Sequence, residues 1–149
     1  MGGVTGRAGP NWEVNGIALA QEWGLPWDRA PLRGNRDTLD TSGCLPSGFL
    51  VGFKAITRKG SQSFGAKISE AMDQCDRALL NLAKEPRLGG WGITSRTDGN
   101  GRLLIDCGGI IPVQVMQRSG YPARKAYVVT EYDYFLTLAL ERAKGRTEQ

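Results

Sequence analysis

The sequence predicts an α/β or α+β layer fold, one domain in which helices flank a single mixed β-sheet, and three observations carry that expectation. Segments with helical and with strand-like patterning succeed one another in the order helix, strands, helix, strands, helix, which layers helices onto a sheet. The 149 residues are enough to bury one core without disulfide support. A hydrophobic share of 40% and a charged share of 23% belong to an ordinary globular chain, and no internal repeat marks out a second domain.

Each element has a local cause. Residues 1–10, MGGVTGRAGP, read as a flexible start. A helix is expected over residues 11–23, with Asn11 as its cap, Glu13 in the first turn and Val14, Ile17, Ala18, Leu19 and Ala20 as apolar surface; Gly24 and Pro26 end it. Residues 27–39 form a turn-rich basic segment, Asp40 opens a strand or turn, and Ser42-Gly43 to Ser47-Gly48 marks a loop or hairpin connection. Residues 49–57 are the clearest buried strand, a short apolar run bounded by turn signals. Helical spacing then runs over residues 66–82 through Ile68, Met72, Cys75, Leu79 and Leu82, until Pro86, Gly89 and Gly90 stop it. Residues 91–94 and 103–107 flank the turn TDGNG and predict a hairpin. Two further strands follow at 110–116 and 126–130, joined through Gly120 and Pro122. A closing helix over 132–144 places Phe135, Leu136, Ala139 and Leu140 on its apolar side, and 145–149 form a tail.

Composition narrows the chemistry. Histidine is absent, which removes Ser-His and Cys-His catalysis and histidine-bound zinc, leaving carboxylates, lysine and water. A bound metal would then be a hard, oxygen-liking ion such as magnesium or manganese. Cys44, Cys75 and Cys107 are odd in number without CxxC spacing, so they read as reduced thiols. No apolar run approaches the ~20 residues of a membrane span, and the Gly-rich start lacks a signal-peptide core; a cytoplasmic location without membrane association is the expectation. No GxxxxGK[ST] pattern supports a nucleotide cofactor, and Thr97-Asp98-Gly99-Asn100-Gly101 is a turn, too short for a calcium loop.

The net charge of +4 points toward a polyanion. Its distribution adds to this. Arg29, Arg33 and Arg36 precede Asp40, Arg58 and Lys59 follow the strand that holds Lys54, and Arg118, Arg124 and Lys125 share a turn-rich segment. Solvated surface charge is the plain alternative. Lys54 lies inside an apolar run, where an amine needs an anionic partner or an edge from which to reach water. Strand alternation points positions 52 and 54 the same way.

Along the chain, Glu13 after Trp12, the basic turn Arg33-Gly34-Asn35-Arg36-Asp37-Thr38-Leu39-Asp40, the strand Gly52-Phe53-Lys54 and the run Val113-Gln114-Val115-Met116-Gln117-Arg118 form an ordered set. With Lys125-Ala126-Tyr127-Val128-Val129 and Tyr134-Phe135 after it, the set resembles the PD-(D/E)XK nuclease superfamily, and within it the small Holliday-junction resolvases of archaea and bacterial viruses. The likeness spans about residues 12–140, with 91–109 as a hairpin insertion, and implies a restriction-endonuclease-like mixed central sheet over residues 11–144. It further implies a DNA structure-selective endonuclease, a homodimer hydrolysing phosphodiesters of branched DNA with Mg2+ or Mn2+, in a bacterial host's cytoplasm if phage-encoded. By the same resemblance Asp40 is the central metal ligand, Glu13 a second or outer ligand, the Phe53 carbonyl a backbone ligand and Lys54 the catalytic cation, while Arg33, Arg36, Arg58, Lys59, Arg118 and Lys125 contact DNA.

One position departs from the family pattern: the acid of the E-x-K strand is Gly52. Magnesium relies on few protein carboxylates, so the loss bears on catalysis. Three accounts stand. The acid has migrated to the neighbouring helix as Glu70, or Asp73 one turn on; the chain binds DNA or a protein partner without cutting; or Gly52 is an introduced or recent change. A nicking or restriction-like nuclease on duplex DNA is a further alternative. Each residue also has a structural reading: Glu13 as a helix-dipole partner, Asp40 as a turn residue, Asp37 paired with Arg33 or Arg36, Glu70 and Asp73 as a solvated helix face, and Trp12, Trp23 and Trp27 as core or dimer contacts.

Overall fold

A computed structural model describes residues 8–29, 39, 41–55, 63–84, 94–118 and 120–147. Over the described residues the fold is mixed α/β, with three helices, a mixed three-stranded sheet and two small antiparallel ribbons. Helix α1 runs over Ala8–Glu22. It starts before the expected cap, so Asn11 lies inside the helix and Glu13 beyond its first turn; Pro10 is tolerated because first-turn N–H groups have no intrahelical acceptor. The end agrees with the sequence. Gly24 adopts φ 88°, its N–H donates to the Gln21 carbonyl at 2.9 Å and the Leu25 N–H to that of Ala20 at 3.1 Å, the Schellman arrangement.

Strands β1 (Asp28–Arg29) and β2 (Thr41–Ser42) pair antiparallel, Arg29 opposite Thr41. A 3₁₀ turn at Leu45–Ser47 leads into β3 (Phe49–Lys54), which ends three residues short of the expected run. Helix α2 (Phe64–Lys84) follows, then the hairpin of β4 (Thr94–Thr97) and β5 (Leu103–Asp106). Its turn is held by Asp98, whose carboxylate accepts from the Asn100 and Arg102 N–H groups at 2.9 Å each. Strand β6 (Ile111–Met116) lies parallel to β3, and β7 (Tyr127–Val129) antiparallel to β6, giving the order β3-β6-β7. Proline is tolerated in this middle strand because β7 pairs only from Gln114 onward; at Pro112 that side is open, and its carbonyl accepts from the Thr130 hydroxyl at 2.7 Å.

The two sheet faces carry separate cores. Val51, Phe53, Ile111 and Val113 face α1, where Trp12 and Ile17 cover them. Trp12 meets Phe53 edge-on at 6.3 Å, and its indole N–H donates to the Val115 carbonyl at 3.1 Å. Gly16 lets α1 lie this close, because any Cβ there would run into the Phe53 ring. The opposite face packs Leu50 and Ile110 against Met72, Cys75, Leu79 and Leu82 of α2, the stripe expected from sequence. Alternation therefore sends Gly52 and Lys54 toward α2.

Helix α3 (Tyr132–Thr147) corrects the reading of its apolar side and extends through most of the expected tail. Phe135, Leu136, Ala139 and Leu140 face outward, whereas the half-buried residues are Tyr134 and Leu138. Tyr134 reaches both cores. A helix apolar around most of its girth has no single stripe from which orientation can be read. Among the described residues no helix is long and apolar enough to cross a membrane.

Candidate functional site

The carboxyl ends of β3 and β6 lie side by side, since the strands are parallel and paired to Lys54↔Met116. Beyond them the Gln117 N–H donates to the Lys54 carbonyl at 3.0 Å, which brings the chain leading to Arg118 against the end of β3. The Arg118 guanidinium is seated over the rings of Tyr121 and Tyr127, at 3.8 and 4.5 Å, and donates to the Lys125 carbonyl at 3.4 Å. Lys125 and Arg124 lie on a 3₁₀ turn, Ala123–Lys125. Thus Lys54, Arg118 and the Arg124–Lys125 turn share one end of the sheet, the end at which open α/β folds bind ligands.

Lys54 finds its anionic partner across the helix layer: its Nζ lies 3.6 Å from Glu70 Oε1. The path from β3 into α2 explains the encounter. Position 54 points to the α2 face, and a helix that follows the carboxyl end of a strand returns with its first turns near that end. Asp73, one turn further on, is exposed. Glu70 is thus the carboxylate paired with the strand lysine.

Beside them, Gly52 pairs in register with Gln114. Any Cβ at Gly52 would run into Gln114 Oε1, so the glutamine occupies the space in which a side chain at 52 would begin. Gln114 is 1% exposed and its amide donates to the Ala71 carbonyl on α2 at 3.0 Å. Its Oε1 is buried with no hydrogen-bond partner among the described residues. The sequence reading passed over Gln114 as a site residue, although an amide in an apolar strand is the same kind of signal as Lys54.

Glu13 lies with α1, on the other face of the sheet, where its carboxylate meets Arg29 at 3.4 Å. Arg29 sits opposite Thr41, the residue after Asp40. The Phe53 side chain packs toward α1. Asp40, Asp37, Arg33, Arg36, Arg58 and Lys59 lie outside the described residues. Among the described residues no three metal-ligating side chains converge. Of the tryptophans, Trp12 is core, Trp27 half-buried and Trp23 exposed, so the core reading fails for Trp23.

A polar cleft of about 510 Å³ opens between α2, the β4–β5 hairpin and α3. Within it the Asp76 carboxyl is held above its ordinary 3.8 by burial first and then by Glu131 and Asp73. Burial likewise raises the Tyr134 hydroxyl, reinforced by Asp76. Cys44, Cys75 and Cys107 form no disulfide with one another.

Compared with protein-family models, with curated proteins and with solved structures, the chain shows no significant match.

Proposed function

We propose that this chain is a DNA structure-selective endonuclease of the resolvase type, built on a nuclease-like fold and hydrolysing phosphodiesters with magnesium or manganese. The observation that carries the reading is the Lys54–Glu70 pair at 3.6 Å, two strand positions past Gly52. It fits the migrated-acid account, in which α2 supplies the carboxylate that β3 lacks. The cations gathered at the same end of the sheet suit a phosphate backbone.

Glu70 fits a hard cation as an oxygen donor, and Asp40 of the sequence motif is the second carboxylate that would hold the ion with it. When bound, such an ion polarises a phosphoryl oxygen and lowers the pKa of a water. The chain's own residues have separate tasks. Lys54 counters charge on the phosphate, and Arg118 and Lys125 bind the backbone and orient it. Two copies would present paired sites to opposing strands of a junction.

One observation favours a second reading, DNA binding without cleavage: the Gln114 amide occupies the space over Gly52, so an acid there would have to displace it. The test uses labelled four-way junctions and linear duplex, with and without magnesium or manganese. Metal-dependent junction cutting, abolished by Asp40→Asn and Lys54→Ala and lowered on the order of 100-fold by Glu70→Gln, is the expected result. Tight, salt-sensitive binding with no cutting would establish the second reading, and equal cutting of linear duplex would point to a restriction-like enzyme. Full activity in Glu70→Gln would remove the migrated acid.

A further inference from the structure

Between α1 and the sheet face turned away from Lys54 and Glu70 lies an apolar cavity of about 380 Å³, and we propose that it binds a small apolar carboxylate. One stripe of α1 forms its roof, since Trp12, Gly16, Leu19 and Trp23 are spaced i, i+4, i+7 and i+11. Its floor includes Val51, Val115 and Val128, one from each of the paired strands β3, β6 and β7. Exposure along the roof rises from 4% at Trp12 to 83% at Trp23, so the helix seals the cavity at its start and leaves a mouth near its end. Close packing does not ordinarily leave a void of this size. It falls instead in the range of small-molecule sites, ~300–1,000 Å³, which are apolar with a few polar groups that fix the ligand.

The polar groups of the lining select the ligand. Apart from the tryptophan N–H groups and Arg124, every lining side chain is apolar, so the walls offer donors and one cation but no side-chain acceptor. The Trp12 N–H is already bonded to the Val115 carbonyl. That of Trp27 is buried with no acceptor among the described residues. A buried donor left unpaired is costly, so a ligand that brings the acceptor is favoured there. Arg124, on the 3₁₀ turn Ala123–Lys125, is exposed and supplies positive charge at the rim. A carboxylate answers both needs: its oxygen accepts from the Trp27 indole and its charge faces the guanidinium. The apolar body meanwhile takes the place of water against the valine, leucine and aromatic walls. An amine would bring a second cation to Arg124, and in its charged form no acceptor to Trp27.

The inference goes beyond the nuclease reading and does not depend on it, because the test contains neither DNA nor metal. Three of the chain's four tryptophans line the cavity, so their fluorescence reports its filling. Titration of the full chain with decanoate should give a saturable change with a Kd on the order of 10–100 μM, the affinity open to so small a ligand. Decylamine, with the same chain and the opposite charge, should bind about tenfold more weakly or worse. Arg124→Gln, a surface change, should weaken decanoate about tenfold and leave the neutral decanol unaffected. Trp27→Phe, followed by titration calorimetry, should weaken decanoate by a similar factor, about tenfold. Decylamine bound as tightly as decanoate, or an Arg124→Gln variant that keeps its full affinity for decanoate, would overturn the proposal. So would the absence of saturable uptake of all three probes, the result expected of a cavity filled by the chain itself or by a second copy.

Discussion

Gly52 and Gln114 form a complementary pair across the β3–β6 ladder, and the glycine at that position is a matter of packing. Interiors are close-packed, so a methyl group placed at 52 forces Gln114 out of its site. Gly52→Ala is expected to destabilise the protein by about 1–3 kcal/mol through overpacking and loss of the bond to Ala71. Adding Gln114→Ala should recover much of that cost; urea unfolding of both single variants and the double measures the coupling. An additive double would show that the two residues do not contend for one space. The same geometry bears on any attempt to restore the family pattern: Gly52→Glu is expected to fold well only together with Gln114→Ala.

At the scale of elements, α1 and α2 divide the work. Helix α1 supplies core and ends in a left-handed glycine with no atom within 4 Å of a prospective Cβ, so strain rather than crowding governs substitution there. Gly24→Ala should cost about 1 kcal/mol in thermal or urea unfolding, leaving the spectrum of the folded protein unchanged. Helix α2 carries the Leu and Met stripe on one side and brings Glu70 to Lys54 near its start. That ion pair is partly exposed, and exposed pairs contribute at most ~1 kcal/mol. Glu70→Gln should therefore leave the unfolding free energy nearly unchanged and, under the proposed function, lower metal-dependent cleavage. A large loss of stability would instead assign Glu70 a structural role.

The whole molecule has a charge ledger that depends on pH. Asp76 is raised by burial and by neighbouring acids, so the folded state holds its proton more tightly than the unfolded chain. Its contribution is present below 3.8 and is lost as pH rises through the folded value, which makes Asp76→Asn stabilising at neutral pH. Cys44 and Cys107 are raised from 9.0 and Tyr134 from 10.0, in each case chiefly by burial. The unfolded chain ionises these groups first, and stability should fall as pH climbs past 9.0. Unfolding curves between pH 8 and 11 should show that decline, made shallower by Tyr134→Phe at the alkaline end.

Much of this architecture was legible in the sequence, because local signals suffice where one face alone is apolar or a turn demands its residues. The α2 stripe, the Asp98 turn, the glycine that ends α1 and the short apolar runs of β3 and β6 are of that kind. Lys54 was legible as a lysine that needs a partner. What the sequence could not name was the partner, since Glu70 and Asp73 share a helix face and only the packing of α2 on β3 sets one of them beside the amine. Nor could it show Gln114 over Gly52, because register between strands 62 residues apart arises from the parallel crossover. For α3 it held too much apolar surface to choose a side. The sequence by itself determined the layers, the candidate cation and the glycine where an acid was expected; tertiary structure decided which carboxylate meets that cation, what fills the space of the missing side chain and which face of α3 is left bare. Those are outcomes of long-range packing, in which distant segments compete for the same volume, and no local pattern encodes the result.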